Sequence, residues 1–384
     1  MYARLKRQRM EEIEKVKKIG ILRANGIGDF IVSLPAIDAL RHSYPDAEIV
    51  LFGKQWHADF LLKGRSSVDR VIVLPPSFFK AKEEHIDHYD EEMDCFFAEM
   101  EAEQFDIALH FHAEDIFSNI FLNALGARVT VGHQKEGAPA LSKTAPYFYY
   151  QNEVFRYLEL VRMVGAMPHN IQPEIRVLEE EKKVALQTIE ELSICPPFII
   201  LHPGATDFRR QWPLEKFAEV GRYFLEKGFS LFLSGSPDEE DVLIKLKSLL
   251  SSSKVHIKSD LSLGNWAALS QEAELLISND TGPLHLARAA GCPTVGIFWG
   301  PNVLNWAPMY REKDGLVISW ELDCPQCGVL PIDPYPFEPK TSFCAHEYSF
   351  VSSISVKQVI EESIRILGRK NDAAVRNQFS SIPS

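Results

Sequence analysis

Ser278-Asn279-Asp280-Thr281-Gly282-Pro283-Leu284-His285-Leu286-Ala287 is the stretch on which the fold turns. An apolar run, residues 273–277, ends where it begins, and an Ala-rich pattern with helical spacing follows it as far as Gly291. Apolar run, tight turn and helix in succession describe a buried parallel strand leaving its sheet. Asp280 or Thr281 offers the side-chain oxygen of a helix N-cap, and Pro283 suits a first turn, where its missing amide costs nothing. The amides of that first turn have no partner inside the helix and point outward, which favours a negatively charged ligand. A diphosphate fits there, with His285 one turn in, near the same mouth. The plainer alternative is a capped helix with a core-packed histidine.

Outward from this stretch, the chain reads as two similar halves. The first opens with the apolar run Lys18-Ile19-Gly20-Ile21-Leu22-Arg23, the turn Ala24-Asn25-Gly26-Ile27-Gly28-Asp29 and a helical pattern over residues 30–43. Residues 48–53, 68–74 and 105–111 read as further strands. The second half repeats the plan: strand 198–201, turn His202-Pro203-Gly204-Ala205, helix 213–227, strand 229–233, and strands at 255–257, 274–277 and 293–298. Such alternation implies parallel sheets with helices on both faces, and open sheets of this kind bind ligands at the carboxyl ends of their strands. The expected organisation is a basic segment 1–17, a Rossmann-like domain 18–172, a second one 173–350, a helix 351–369 and a disordered polar tail 370–384. The acidic, aromatic stretch 78–103 has no clean period and reads as a solvated or packing face, with a helical insertion beside a cleft as the alternative.

Composition excludes several classes. The chain has 384 residues, 46% hydrophobic and 24% charged, which suits two ordinary domains. No apolar stretch is long enough to span a bilayer, residues 1–20 are too charged for a secretory signal, and six cysteines make no disulfide scaffold, so the expected compartment is the cytoplasm. A net charge of -12 argues against sequence-independent nucleic-acid binding.

Asp29 follows a glycine turn that only partly matches a dinucleotide fingerprint. The third glycine is missing, and the second strand ends in Phe52-Gly53-Lys54 rather than in a ribose-binding acid. A carboxylate there repels a pyrophosphate but suits proton abstraction from a hydroxyl; capping its own helix is the other reading. In the second half, Thr206-Asp207-Phe208-Arg209-Arg210-Gln211-Trp212-Pro213 lies between a strand and a helix. Guanidinium groups bind phosphate oxygens and stabilise a leaving diphosphate, so Arg209 and Arg210 are donor candidates. Their alternative is a solvent-facing basic pair. Trp212 and Pro213 read as fixing that loop against the domain. Glu239, in the loop after strand 229–233, is placed either to accept from ribose hydroxyls or to favour the next helix. The chain has no Asp-x-Asp after a strand and no His-Glu-x-x-His. Cys324-Pro325-Gln326-Cys327 followed by Cys344-Ala345-His346 brings together the donors of a tetrahedral structural zinc site, with packed thiols or a disulfide as alternatives.

Taken together, these stretches resemble glycosyltransferase family 9, the lipopolysaccharide heptosyltransferase family, across about residues 18–367. The resemblance is carried by Ile21–Asp29 with Leu34-Pro35-Ala36, by His202–Ala205 with Arg210-Gln211-Trp212-Pro213, and by Asn279-Asp280-Thr281-Gly282-Pro283-Leu284-His285. It implies the GT-B architecture, two Rossmann-like doubly wound domains facing across a cleft with the donor held by the C-terminal one. It also implies inverting transfer without a metal or other cofactor, typically of heptose from an ADP-sugar donor. By match to the motif, Asp29 is the general base. Thr206, Thr281, Gly282 and His285 surround the diphosphate, Asp280 contacts the sugar or orients the loop, and Glu239 meets the ribose. Arg210 stands where the family usually has Lys, which keeps the charge and changes its geometry. The implied partners are a nucleotide sugar and a lipid-linked or oligosaccharide acceptor of the lipopolysaccharide core. The basic residues 4–9 and 15–18, interspersed with Met10 and Ile13, fit peripheral contact with the inner-membrane surface or a solvated helix. Two rivals remain: a nucleotide-sugar epimerase of the same fold, and a non-catalytic sugar-nucleotide-binding protein.

Overall fold

The computed structural model describes residues 13–83, 90–113, 116–329 and 346–379. Most of the basic segment, together with Cys344, lies outside the described residues. The chain divides into two compact units, Met1–Ile171 and Gln172–Ser384.

The first unit runs β1 (Lys18–Leu22), α1 (Ile27–Ile31), α2 (Leu34–Ser43), β2 (Glu48–Gly53), α3 (Gln55–Phe60), β3 (Arg70–Val73), α4 (Pro76–Glu83), α5 (Glu91–Glu101), β4 (Ile107–His110), α6 (Ile116–Ala124), β5 (Val129–His133), β6 (Lys143–Ala145) and α7 (Glu153–Arg162). Its sheet has the order β3-β2-β1-β4-β5-β6, with every neighbouring pair parallel. β1, β2 and β4 are buried almost along their whole length, as strands covered on both faces must be. β5 and β6 go beyond the strands expected from the sequence. β5 carries the alternation Val-Thr-Val-Gly-His and β6 is only Lys-Thr-Ala, so neither shows the apolar run that marks a central strand.

The helix expected over 30–43 is two helices. Pro35 cannot donate to a carbonyl four residues back, and the chain breaks at Val32 and Ser33, where the Ser33 hydroxyl donates to Phe30 O at 2.6 Å. The aromatic stretch after Phe78 folds as α4 and α5. Phe78, Met93, Phe97 and Met100 are buried there with Phe52, Phe105 and Phe121, so its aromatic residues serve the core.

The second unit runs α8 (Glu179–Glu191), β7 (Phe198–His202), a 3-10 turn (Phe208–Arg210), α9 (Leu214–Glu226), β8 (Ser230–Leu233), a 3-10 turn (Pro237–Glu239), α10 (Glu240–Leu250), β9 (Val255–Ile257), α11 (Leu263–Glu272), β10 (Leu275–Asn279), α12 (Gly282–Ala290), β11 (Thr294–Trp299), α13 (Gly300–Trp306), β12 (Asp314–Ser319) and α14 (Val356–Phe379). The strand order is β12-β11-β10-β7-β8-β9, again wholly parallel. β12 was not expected; it pairs along all six residues with β11 and takes its apolar partners from there and from α14. α14 continues past 369, where the sequence reading ended it and began a tail. Residues 369–379 contain neither Gly nor Pro, so nothing in their backbone chemistry stops the helix. Among the described residues, no helix is long and apolar enough to cross a membrane.

Candidate active site

In a doubly wound sheet the ligand site forms at the carboxyl ends of the strands where the winding reverses. That point lies between β7 and β10 in the second unit and between β1 and β4 in the first.

β10 ends in Asn279 and delivers Asp280 and Thr281 to the switch point. Asp280 is 1% exposed. Its Oδ2 accepts from Asn302 Nδ2 at 2.8 Å and lies 3.7 Å from Arg210, while Oδ1 lies 3.4 Å from His285 Nε2. Burial pushes this carboxyl upward, but the hydrogen bond and charge of His285, the charge of Arg210 and the Asn302 amide outweigh it and hold Asp280 below the usual carboxylate range. Asp280 is therefore a buried tie between three elements. Thr281 is the N-cap residue of α12, yet its side chain does not cap the helix. Its Oγ1 is buried and makes no hydrogen bond, which is costly unless a ligand supplies one. Gly282 opens the helix, Pro283 occupies its first turn, and His285 packs against Trp306 with ring centroids 5.8 Å apart.

The β7 loop is clamped onto this strand end by Asn279. Its side-chain oxygen accepts from Trp212 N at 3.1 Å, and its Nδ2 donates to Pro203 O at 2.7 Å. Trp212 is 2% exposed, donates from Nε1 to Ile354 O at 3.0 Å, and so fixes the loop against the domain. The two arginines separate in role. Arg209 makes a bidentate pair with Asp207, with Nε–O distances of 2.9 and 3.0 Å and an NH2–O distance of 2.7 Å. That pairing helps hold Asp207 below its ordinary range against the opposing effect of burial. Arg210 instead turns to the β10 loop, donating from NH1 to Asp280 O at 2.9 Å, while its buried Nε makes no hydrogen bond. Thr206 is exposed on the same loop.

Glu239 stands in the 3-10 turn after β8. Its Oε2 accepts from Ser236 N at 2.8 Å, the capping contact offered as the alternative to ribose binding. The carboxylate also lies against the β7 loop: a Cβ on Gly204 would come within 1.9 Å of Glu239 Oε1, so an alanine there would push the carboxylate aside. Behind it, Ser234 Oγ joins His202 Nδ1 at 2.9 Å and accepts from Trp266 Nε1 at 3.0 Å. Thr206, Arg209, Arg210, Glu239, Asp280 and Thr281 thus lie in the connections at the carboxyl ends of three adjacent strands, β8, β7 and β10, and Gly282 and His285 in the first turn of α12.

At the switch point of the first unit, Asp29 is the third residue of α1. Its Oδ2 accepts from Gly26 N at 3.0 Å, so the capping contact exists. Its Oδ1 accepts from Arg23 NH2 at 3.0 Å, and Arg23 Nε donates to Asp29 O at 3.1 Å. Arg23 is 3% exposed, also donates from NH1 to Phe111 O, and lies over the Tyr157 ring. The carboxylate is held at both oxygens and its side chain remains 30% exposed. β4 and β5 add buried His110, His112 and His133 beside this point; His112 Nε2 accepts from Ala24 N at 3.3 Å. Burial lowers His133, and His57 after β2, to about 3.

Of the cysteine constellation, Cys324, Cys327 and His346 come together, with all three ligand atoms within 4.8 Å of one another. Sequence reasoning missed Arg23, Asp207, Asn279 and Asn302 as partners of the functional groups. Asn279 and Arg23 were visible as polar residues closing apolar strands; Asn302 follows a strand by three residues and carries no such signal.

The sequence model of Glycosyltransferase family 9 (heptosyltransferase) matches residues 95–329. The lipopolysaccharide core heptosyltransferase OpsX of Haemophilus influenzae is 21% identical over 320 residues, 80% of this chain and 86% of its own length. Among solved structures, a family 9 glycosyltransferase of Veillonella parvula has a TM-score of 0.72 at 20% identity, covering 91% of this chain and 97% of that one. The ADP-heptose lipopolysaccharide heptosyltransferase II of E. coli has a TM-score of 0.70 at 18% identity, covering 92% and 99%. Two parallel, doubly wound units matching solved structures of this kind over nearly their whole length are the GT-B fold, and a match to well over half of the sequence carries the rest: the chain belongs to glycosyltransferase family 9 (heptosyltransferase) and is a glycosyltransferase.

Proposed function

We propose that this glycosyltransferase moves heptose from ADP-heptose to a lipopolysaccharide-core acceptor, with inversion, without a catalytic metal, on the cytoplasmic side of the membrane. The observation that carries the reading is the Arg210–Asp280–Thr281 cluster at the head of α12. It combines a guanidinium whose Nε makes no hydrogen bond, a buried hydroxyl with none, and the outward amides of a nine-residue helix. Such a group fits a diphosphate and stabilises the charge that grows on it as the glycosidic bond breaks. The donor name comes from the E. coli relative of known structure, and the acceptor from the Haemophilus relative.

The chemistry divides between the units. In the second, Arg210 and the α12 amides take the leaving diphosphate, Thr206 and Gly282 line its loop, Arg209 steadies that loop through Asp207, and Glu239 meets the ribose. Asp280 and His285 hold the loop in shape. In the first, Asp29 takes the proton from the acceptor hydroxyl as that oxygen attacks the anomeric carbon opposite the departing ADP, which inverts the centre. Arg23 and the Gly26 amide aim the carboxylate.

The test is ADP release from ADP-heptose in the presence of a defined core acceptor truncated before its first heptose, with the product anomer read by NMR. Acceptor-dependent release that is independent of added Mg2+ or Mn2+ is expected. Release of a free altered sugar without acceptor would favour an epimerase, binding without turnover a non-catalytic role, and dependence on added divalent ion a metal-assisted reaction.

A further inference from the structure

Outside the donor cluster, the described residues of the second unit bring thiols and an imidazole together at residues 324–328 and 346. We infer that Cys324, Cys327 and His346 bind one thiophilic divalent metal ion, zinc by preference, which staples the segment 346–350 to the 324–328 turn and thereby braces the Arg209–Arg210 loop.

Three observations support it. The Cys-x-x-Cys-Gly sequence is folded as a closed turn. Gly328 N donates to Cys324 O at 2.7 Å, Cys324 N donates to Val329 O at 2.8 Å, and Gly328 takes φ +68°, a conformation that glycine adopts without strain. The turn brings both sulfurs to one side. Next, Cys324 Sγ and His346 Nδ1 are 3.7 Å apart. Tetrahedral ligation with zinc–sulfur and zinc–nitrogen bonds of ~2.3 and ~2.0 Å puts such atoms about 3.5 Å apart. A thiol–imidazole hydrogen bond would account for that pair but needs no third donor, and Cys327 Sγ lies within 4.8 Å of both. Finally, Cys324 is 1% exposed while Cys327 is exposed and His346 half-buried, so the site is anchored in the core and open to entry from one side. On binding, Zn2+ displaces one proton from each thiol, and two thiolates with a neutral imidazole leave the site uncharged.

His346 leads directly into the support of the donor loop. Tyr348 OH donates to Glu321 Oε2 at 2.8 Å, Ser349 Oγ donates to Gln211 O at 2.5 Å, and Phe350 N donates to Arg209 O at 2.9 Å. Phe350 stacks on Trp299 at 4.7 Å, and Trp299 lies under the Arg209 guanidinium. A metal at the start of this segment limits its movement at the end that meets residues 209–211. Metal binding itself stands on the donor geometry alone; the bracing rests on the donor reading of Arg210.

The experiment uses the full chain, purified under reducing conditions without added metal. Elemental analysis should find one zinc per chain, and exchange with Co2+ should give a thiolate-to-cobalt absorption band. Cys327→Ser, at an exposed position, and His346→Gln should each weaken the band and lower metal retention at least tenfold while the far-ultraviolet circular dichroism stays unchanged. No stoichiometric metal, a cobalt spectrum unaltered in both variants, or a native mass showing a Cys324–Cys327 disulfide would overturn the site. In ADP titrations, the metal-free chain should bind several-fold more weakly than the loaded one. Equal ADP affinity would overturn the bracing, and failure of both forms to bind ADP would instead count against the donor reading.

Discussion

Read from matching edges, the sheets of the two units have the same order: β3-β2-β1-β4-β5-β6 in one and β9-β8-β7-β10-β11-β12 in the other. The loops at their switch points are nevertheless opposite in character. The first presents Asp29, an acid held by a buried arginine behind it, on a helix of five residues. The second presents Arg210, with a buried acid behind it, beside a helix of nine. In each, the buried partner carries the charge that the outer group lacks. On the proposed reading, the scaffold fixes where a loop emerges, and the placement of the inner and outer charges decides whether that place takes a proton or holds an anion.

The sharpest way to break this contrast is to remove charge from the first unit alone. Asp29→Asn keeps the shape, and turnover is expected to fall about 10²–10⁴-fold while ADP affinity, measured by calorimetry, stays the same. Near-normal transfer would take the proton-accepting role away from Asp29. The converse change, Arg210→Ala, should weaken ADP binding by about 2 kcal/mol, roughly thirtyfold, with Arg210→Lys in between. Unchanged ADP affinity in the alanine variant would leave the second unit without its anion-binding group. A smaller effect, about 1 kcal/mol or roughly fivefold, is expected of Thr281→Val. Its hydroxyl makes no hydrogen bond in the unliganded chain, so the melting temperature should hold while ADP affinity drops; a variant less stable but equally tight would show that the hydroxyl serves the fold.

The smallest effect concerns pH. Burial holds His57 and His133 at about 3 in the folded chain, against 6.5 in the unfolded one. Between those values the unfolded chain binds protons that the folded chain does not, so stability falls as pH drops through that window and is flat above it. Glu103, held at about 2 by Arg70 and Lys18, begins to matter only below its ordinary 4.5. Melting temperature should therefore decline by a few degrees from about pH 7 to about pH 5, and less steeply in His133→Gln. A flat profile over that range would show that these histidines become protonated without cost.

Much of the molecule was legible beforehand because its signals are local. Central strands such as 198–201 and 274–277 are near-continuous apolar runs, and the turns after them are marked by Gly, Pro and Thr. β6 was missed because Lys-Thr-Ala carries no apolar run, and β12 although Leu316-Val317-Ile318 gives it a short one. The single helix expected over 30–43 was interrupted by Pro35, which was visible but outweighed by the apolar period. Arg209 and Arg210 were indistinguishable in sequence; a carboxylate two residues upstream of one and a loop seventy residues downstream of the other set them apart.

Sequence alone determined the alternation of strands and helices, the Gly-Asp and Asp-Thr-Gly-Pro turns, and the family these turns belong to, because backbone propensity and residue spacing act over a few residues. Only the tertiary structure decided that Asp280 is buried between Arg210, His285 and Asn302, that Arg23 stands behind Asp29, and that Asn279 ties two loops together. The contacts of Asn279 and of Asp280 with Arg210 depend on strand order, because adjacent parallel strands join residues far apart along the chain; Arg23 is only six residues from Asp29, but its place is fixed by the distant Phe111 and Tyr157.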